Sequence, residues 1–573
     1  MRKYFSLVLM GLFGMVLVAL GQKCSFETSG GKASATYPEV LEWYQSLAKK
    51  HKEIKVINKG KTDAGFPLQL VLISNDGIFD PAKWHQNNKV VILVNNGIHA
   101  GEPDGIDASM MLARDIIEKK SLPSNVSIAI ITAYNIGGLL NRSSTSRANQ
   151  NGPEEYGFRG NSQLLDLNRD FIKCDSKEAI SFSEIFHNLN PDVFIDNHVS
   201  DGADYQHTMT LLTTQYDKLG KVQGAWLRDV FEPKLYKSMS AKGWDMVPYV
   251  DFEFTDLSKG MTMFNEPPRY ASGYAALFQT FSFVAETHML KPFADRVKST
   301  YDLMFSLIEE SSKNAEELLQ ARKTAVAALK KENIFPLKWV PDYTQSEKIT
   351  FKGYEKDSAI SEATGLKKYY FNHNKPFEKS INFYCHFKGI DTVVSPAAYI
   401  IPQGWDEVLE RLKANDVKIK RFKKDTLIEV TAYYITSNQS LAQAYEKHHK
   451  NYNTSVRTEK LLLPFKKGDY WLPTDQKAKR YLIETLEPKS EDGFFAWNFF
   501  DAILQQKEGY SDYRWEDIAA KVLENNPELR QKLELKKSED AVFASDPHKI
   551  LDFIYKNSPY YEKTHLRYPV YRW

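Results

Sequence analysis

The feature that most constrains the fold of this chain is an alternation of short, continuously apolar segments with amphipathic ones. Residues 89–95, 126–133 and 192–196 have the apolar runs expected of strands that are buried on both faces of a sheet. Between the first two lies residues 104–118, in which apolar side chains recur at helical spacing. This order predicts an α/β fold, with a mixed sheet sandwiched by helices.

The length of 573 residues predicts more than one domain, because hydrophobic cores stop growing at about 250–300 residues. Residues 291–331 read as a long helical stretch, and from about residue 347 the pattern changes to alternating segments typical of β-strands. Helices are expected at 405–414 and 512–535. We therefore predict a first domain over residues 22–334 and a C-terminal α+β region over residues 335–573. The large aromatic residues of that region are interpreted as core.

Residues 1–21 have the pattern of a signal peptide. A short basic segment precedes an apolar run over residues 5–20, and Ala19 and Gly21 supply small residues for a cut before Gln22. The run is short for a membrane-spanning helix, which needs about 20 residues. Lys23 stands before Cys24 where a lipoprotein needs a small residue. We expect an exported protein, periplasmic or extracellular, with no stable membrane insertion after cleavage.

Charge and cysteine content exclude two further classes. Lys and Arg (75) nearly balance Asp and Glu (73), so no strong positive field favours nucleic acid as a partner. The three cysteines, Cys24, Cys174 and Cys385, allow at most one disulfide and leave a free thiol. The chain is therefore not a disulfide scaffold, and its stability must come from large cores.

The sharpest chemical signal is the segment Asn95-Asn-Gly-Ile-His99-Ala-Gly-Glu102, which follows a buried strand and precedes a helix. Functional sites of open α/β sheets lie at that edge, and imidazole and carboxylate are both zinc ligands. The alternative interpretation is that Glu102 only favours the positive end of the helix. His198, at the end of a second apolar strand, completes a His₂Glu set, which is typical of a catalytic zinc site.

Two more polar blocks accompany this set. The first runs from Arg159 through Asp166 to Asn168 and Arg169, and it could be no more than a surface loop. Arginine, however, binds carboxylates in a two-pronged geometry. The second is the apolar segment 281–288, which carries Glu286 near its end. A buried carboxylate is costly without a partner or a function.

In this order, the four blocks resemble the zinc carboxypeptidase (funnelin) family, over about residues 35–300. The resemblance implies a single Zn²⁺ held by His99, Glu102 and His198. It implies that Glu286 is the general base for a zinc-bound water, and that Arg159 stabilises the oxyanion. It further implies that Asn168 and Arg169 bind the terminal carboxylate of a peptide substrate.

Three assignments stay open within this resemblance. The family has a tyrosine on a loop before the base, and here Tyr270 and Tyr274 are both candidates, of which we favour Tyr270. Arg142 and Arg147 lie upstream of Arg159 as alternatives to it. Asp170, His207 and His288 receive no catalytic role.

The sequence as a whole predicts a secreted zinc metallocarboxypeptidase that hydrolyses C-terminal peptide bonds. A second interpretation is a zinc amide hydrolase acting on cell-wall peptides or N-acyl amino acids, because the same site serves both. A third is a metal-free binding protein of an export pathway. The intact set of His99, Glu102, His198 and Glu286 argues against it.

Overall fold

The structure is a computed structural model that describes residues 21–250 and 257–573, so the predicted signal peptide falls almost wholly outside the described residues. Its centre is an eight-stranded mixed sheet with the strand order β1-β2-β4-β3-β5-β9-β6-β7. The strands of the first part of the chain are β1 (Ile54–Lys59), β2 (Leu68–Ile73), β3 (Val90–Asn96), β4 (Val126–Ile131), β5 (Val193–Ser200), β6 (Met209–Thr213), β7 (Val247–Pro248), β8 (Met261–Thr262) and β9 (Phe281–His288).

The four central strands of this sheet are parallel, and antiparallel pairs lie on either side of them. Strands β4, β3, β5 and β9 run in one direction. The pairs β1–β2, β2–β4 and β9–β6 are antiparallel, and the edge strand β7 is parallel to β6. Every residue of β3 and β4 is buried, as the continuous apolar runs predict. Strand β5 continues to Ser200, past the predicted end at residue 196, so His198 lies within the strand.

Helices cover both faces of the sheet. They are α1 (Ser25–Thr28), α2 (Tyr37–Lys50), α3 (Pro81–Gln86), α4 (Asp104–Glu118), α5 (Ile136–Leu140), α6 (Lys177–Leu189), α7 (Gly220–Trp226), α8 (Glu232–Ala241), α9 (Ala271–Ala276), α10 (Phe293–Lys313) and α11 (Ala315–Lys331). The expected helical stretch over 291–331 is divided into α10 and α11 at Asn314, whose backbone is not helical.

The C-terminal region combines long strands with a helical end. Its strands are β10 (Ile334–Pro341), β11 (Glu347–Ile360), β12 (Lys367–Tyr384), β13 (Phe387–Val394), β14 (Ala398–Ile401), β15 (Lys420–Arg421), β16 (Thr426–Ser440), β17 (Asn451–Phe465), β18 (Tyr470–Pro473) and β19 (Tyr571–Arg572). Its helices are α12 (Asp406–Ala414), α13 (Lys479–Leu486), α14 (Asp512–Asn525), α15 (Pro527–Glu539), α16 (Ala541–Ala544) and α17 (Pro547–Lys556). The helix expected over 512–535 is broken at Asn526, before Pro527, because proline cannot continue a helix from the preceding residue.

The two parts of the chain are in close contact. Strand β8 pairs with β12, which places a segment of the first part in a sheet of the second. One buried apolar cluster includes residues of both parts, such as Phe278 and Tyr481, whose rings stack at 5.8 Å. The predicted class, an α/β mixed sheet followed by an α+β region, is confirmed. The exact boundary at residue 334 remains a prediction.

Several sequence expectations concern side chains. Cys24, Cys174 and Cys385 are all free and buried. Six aromatic residues of the C-terminal region were expected in the core. Phe494, Phe495, Trp497 and Phe500 are buried, as predicted, whereas Trp471 and Phe499 are only partly buried and pack against the cores. Within the described residues, none of the helices has the length and apolar character needed to cross a membrane.

Candidate active site

The predicted metal ligands come from two neighbouring strands. His99 and Glu102 lie in the turn between β3 and α4, where the Glu102 amide donates to the His99 carbonyl oxygen at 2.9 Å. A Cβ on Gly101 would lie 2.9 Å from Cδ of Arg147 and 3.0 Å from the carbonyl oxygen of Gly157, so this tight turn requires glycine. His198 stands on β5, which pairs with β3.

The side chains of His99, Glu102 and His198 converge. Nδ1 of His99 lies 3.1 Å from Oε1 of Glu102, and Nδ1 of His198 lies 3.3 Å from Oε2 of Glu102. Donor atoms that share one zinc ion at 2.0–2.2 Å in tetrahedral geometry are about 3.4 Å apart. All three residues are buried, and their donor atoms lie within 4.8 Å of one another. The donor set therefore fits a zinc ion.

Each histidine is oriented by a second carboxylate through its other ring nitrogen. Nε2 of His99 lies 2.9 Å from Asp166, and Nε2 of His198 lies 2.9 Å from Asp196. Metal-binding histidines are usually held in this way, which fixes the ring and leaves one nitrogen for the ion. Burial opposes the ionisation of Glu102, but His99 and Arg147 hold its pKa well below the ordinary value. The cluster thus presents an anionic oxygen donor.

Glu286 lies beside this cluster because β5 and β9 are parallel neighbours. His198 and Glu286 are paired in register across the two strands. Burial raises the pKa of Glu286 to about 8, and Glu102, Glu266 and Asp196 contribute in the same direction while His198 opposes them. A carboxylate with a pKa near neutrality is suited to take up a proton during catalysis.

A cavity of about 580 Å³ opens over these groups. The structure brings all the predicted site residues to its lining, namely His99, Glu102, Arg159, Asn168, Arg169, His198, Tyr270 and Glu286. Arg147, the alternative to Arg159, also lines the cavity. Other lining residues, which the sequence analysis did not single out, include Leu212, Tyr249, Phe264 and Glu266.

Two arginines, Arg147 and Arg159, line the cavity beside the cluster. Arg147 donates to Oε1 of Glu102 at 2.5 Å and to the carbonyl oxygen of Val199 at 3.0 Å, so it connects both ligand-bearing segments. Arg159 lies 2.8 Å from Asp166 and 3.6 Å from Glu102. Arg142 instead donates to backbone carbonyl oxygens outside the cavity, including that of Ser34 at 3.1 Å. Arg142 is therefore excluded as the arginine that stabilises the oxyanion. Arg159 and Arg147 remain candidates for that role, because both line the cavity.

Asn168, Arg169 and Tyr270 form another part of the cavity lining. The guanidinium of Arg169 lies 4.2 Å from the centre of the Tyr270 ring, and Oδ1 of Asn168 accepts a hydrogen bond from the Ala271 amide at 3.3 Å. Tyr274 is fully buried, and its hydroxyl donates to Asn415 at 2.6 Å. Of the two tyrosines, only Tyr270 faces the cavity.

Residues of the C-terminal region form hydrogen bonds with the two segments that carry Arg169 and Tyr270. The backbone amide of Asp166 donates to Oε2 of Glu446 at 2.8 Å. Asp492 accepts hydrogen bonds from the backbone amide of Arg269 at 3.1 Å and from its guanidinium at 2.7 Å. These contacts hold the segments on both sides of the Arg169–Tyr270 pair.

Residues left without a catalytic role make structural contacts. Asp170 pairs with buried Lys173 at 2.8 Å, and Nδ1 of His207 donates to the backbone carbonyl oxygen of Asp245 at 2.9 Å. The ring of His288 packs against Tyr205 at 4.7 Å. These contacts match the structural interpretation of all three residues.

A second group of ligand-type side chains, Glu347, Cys385 and His386, lies in the C-terminal region. Arg228 is 3.5 Å from the Glu347 carboxylate, on the same oxygen that lies 3.9 Å from Nε2 of His386. A fixed cation thus already neutralises this group, which does not resemble a metal site.

The chain is similar to zinc carboxypeptidases over residues 40–230, which match the sequence profile of that family. This range contains His99, Glu102, Arg159, Asn168, Arg169 and His198. Carboxypeptidase 2 of Trichophyton rubrum is 21% identical over 494 residues, which cover 81% of this chain and 84% of that protein. Carboxypeptidase 2 of Trichophyton equinum is 20% identical over 499 residues, with the same two shares, 81% and 84%.

Solved structures include similar chains. The metallo-carboxypeptidase from Burkholderia cenocepacia overlaps with a TM-score of 0.37 and 13% identity, over 47% of this chain and 68% of that one. Carboxypeptidase A from Helicoverpa armigera overlaps with a TM-score of 0.35 and 17% identity, over 52% of this chain and 75% of that one.

Proposed function

We propose that this member of the zinc carboxypeptidase family, a metallocarboxypeptidase, releases single residues from peptide C-termini at the cavity lined by His99, Glu102, His198 and Glu286. The observation that carries the proposal is the register pair of His198 and Glu286. This pairing sets the Glu286 carboxylate beside a His₂Glu donor set, and Arg169 and Tyr270 line the same cavity.

His99, Glu102 and His198 would hold one zinc ion. Bound there, zinc would polarise the scissile carbonyl and lower the pKa of a water molecule towards neutrality. Asp166 and Asp196 keep the two imidazoles oriented, and Arg147 holds the Glu102 carboxylate. Such outer contacts normally strengthen metal binding.

Glu286 would act as general base and then as general acid. Its carboxylate accepts a proton from the attacking water while the water oxygen forms a bond to the carbonyl carbon. The same proton passes to the amide nitrogen as the C–N bond breaks, so the products are a carboxylate and an amine. Arg159, with Arg147 beside it, would stabilise the negative charge on the former carbonyl oxygen.

Arg169 and Asn168 would bind the free carboxylate of the substrate. The Arg169 side chain is 20% exposed and lines the cavity. Its Nη1 donates to the Asn168 carbonyl oxygen at 2.9 Å and lies 3.8 Å from Asp166, its one ion-pair contact among the described residues. A guanidinium makes two parallel hydrogen bonds to a carboxylate, which fixes the direction of the bound chain. This geometry favours cleavage of the last peptide bond.

The test is a matched pair of peptides, one with a free and one with an amidated C-terminus, incubated with the zinc-loaded protein. We expect release of the last residue from the free peptide and much poorer turnover of the amidated one. Equal turnover of both would refute the carboxypeptidase assignment and favour the alternative, a zinc amide hydrolase of cell-wall peptides or N-acyl amino acids.

We further propose that the protein is exported and that the mature chain begins at Gln22, since Ala19 and Gly21 form a cleavage signal. The test is N-terminal sequencing of the protein from its native host, and a mature protein that still begins at Met1 would contradict export by this route.

A further inference from the structure

Strand β17 forms an open edge of the largest sheet in the C-terminal region. This sheet has six strands in the order β15-β18-β14-β19-β16-β17, and in the part of the chain that the structure describes β17 pairs with β16 alone. Its 15 residues run from Asn451 to Phe465, and from Val456 onwards the pairing with β16 is regular. The amide and carbonyl groups that point outwards from such an edge can pair with a further strand.

The other long strands with an open edge, β11 and β12, are interrupted. Their pairing shifts register between Tyr354 and Glu355, and β12 contains Pro376, which has no amide hydrogen to donate. Bulges and prolines are the usual means by which proteins prevent the pairing of edge strands. Residues 456–463 of β17 contain no proline, and their pairing with β16 has no bulge.

Two opposite charges lie in the middle of this edge strand. Nη1 of Arg457 is 2.7 Å from Oε2 of Glu459, and the two side chains are 54% and 42% exposed. The Arg457 guanidinium also lies 3.9 Å from the centre of the Tyr434 ring, which restricts its position. A guanidinium has five N–H donors, so Arg457 can bind a second carboxylate without releasing the first.

These charges complement a second copy of the same strand. When two identical strands pair in antiparallel fashion around a two-fold axis, the residue on the axis lies opposite itself. With Thr458 on the axis, Arg457 of each copy lies opposite Glu459 of the other. An axis at Arg457, Glu459 or Lys460 would instead set like charges opposite each other, which is unfavourable. Among the registers centred on residues 457–460, only the one centred on Thr458 therefore pairs opposite charges.

An apolar surface adjoins the same edge. Leu427 of β16 and Leu462 of β17 are each 61% exposed. Leu427 pairs with Pro464, which is two residues beyond Leu462, so both leucines lie on one face of the sheet. A strand added beside β17 covers part of this surface, and the removal of apolar surface from water favours association.

We propose that the edge of β17 is a self-association surface and that its partner is a second copy of this chain, bound antiparallel with Thr458 on the two-fold axis. The two six-stranded sheets then form one continuous sheet across the dimer. The proposal concerns assembly and does not depend on the peptidase activity, since no residue of β17 lines the active-site cavity.

The experiment measures the mass of the zinc-loaded full chain by sedimentation equilibrium over a range of concentrations, and we expect the wild type to form a dimer. Arg457→Glu leaves two acidic side chains on the edge, and Glu459→Arg leaves two basic ones. Each variant alone should have a dimer dissociation constant about 10- to 100-fold higher, because like charges then face each other. An equimolar mixture of the two variants should form a heterodimer, because every opposed pair then has opposite charges.

Asp425→Lys is the matched control. It reverses an exposed charge that pairs with Lys466 at 2.9 Å, but it lies before β16 and not on the edge strand. This variant should dimerise like the wild type, as should the double variant that combines Arg457→Glu with Glu459→Arg. The unfolding midpoint shows whether each variant is folded.

A wild type that remains monomeric at every concentration overturns the proposal. A dimer that persists in both single variants overturns it as well, as do folded single variants that do not associate when mixed. Hydrogen exchange of the wild type is a measurement that needs no variant. Alternate amides of residues 456–460 should exchange more slowly where the dimer forms, and equal exchange at all concentrations would also contradict the proposed interface.

Discussion

Asp492 offers the sharpest test of how the C-terminal region supports the cavity. It is 2% exposed and pairs with Arg269 at 2.7 Å and with Lys450 at 2.9 Å. Arg269 precedes Tyr270, and its guanidinium lies 5.2 Å from the centre of that ring. We therefore expect Asp492→Asn both to destabilise the protein and to loosen the segment that carries Tyr270.

The magnitude follows from the ionisation of Asp492. Burial opposes its charge, but Lys450 and Arg269 outweigh burial and lower the pKa from 3.8 to about 2. At about 1.4 kcal/mol for each pKa unit, this difference corresponds to about 2.5 kcal/mol of stability. Because the folded-state pKa is the lower one, this stability is fully present above about pH 4 and is lost as the pH falls through about 2.

The assay compares urea unfolding of wild type and Asp492→Asn between pH 7 and pH 2, together with KM for a peptide that has a free C-terminus. The stability difference should be constant down to about pH 4 and shrink below it, and KM should rise in the variant. The control is Asp425→Asn, which breaks an exposed pair with Lys466 at 2.9 Å and should change the stability little, because water screens a pair at the surface. Equal unfolding midpoints for the two variants at pH 7 would refute the reasoning, as would a difference that persists unchanged to pH 2.

Three further predictions concern the cavity itself. Glu286→Gln should retain zinc and the fold but lose about 10²–10⁴-fold in kcat, since proton transfer is removed, and near-native turnover would rule out its role as base. Arg169→Lys should raise KM for peptides with a free C-terminus and barely affect amidated ones, because an ammonium does not reproduce the two-pronged contact. A similar change for both peptides would show that Arg169 does not bind the carboxylate. Arg147→Met should weaken zinc binding about 10- to 100-fold in a chelator competition, because Glu102 loses the hydrogen bond that holds its carboxylate. An unchanged zinc affinity would show that Arg147 does not support the metal ligand.

The proximity of His99 and His198 could be predicted from the sequence, because it depends on a simple rule of sheet architecture. His99 follows β3 and His198 lies near the end of β5, and adjacent parallel strands deliver their carboxyl ends to one edge. The apolar runs of β3, β5 and β9 can be recognised in the sequence itself. The sheet and the position of Glu286 in it could therefore be predicted.

Other parts of the site have no local signature. Glu446 reaches Asp166 across 280 residues of sequence, and Asp492 reaches Arg269 across 223. No periodicity or spacing predicts such contacts, because they depend on how the C-terminal region packs. Arg147 is also indistinguishable by spacing from Arg142, although only Arg147 reaches Glu102. The break between α10 and α11 at Asn314 escaped prediction because the flanking sequences both have strong helical patterns.

The register of His198 and Glu286 has a consequence for how this enzyme can vary. Neighbouring strands lie about 4.8 Å apart in any sheet, so the backbone hydrogen bonds of the sheet interior set the separation of these two residues. Insertions, deletions and substitutions in the loops around the cavity can change which peptides enter and how tightly they are held. They leave the spacing of His198 and Glu286 as it was, so the shape of the cavity can change without moving these two residues apart.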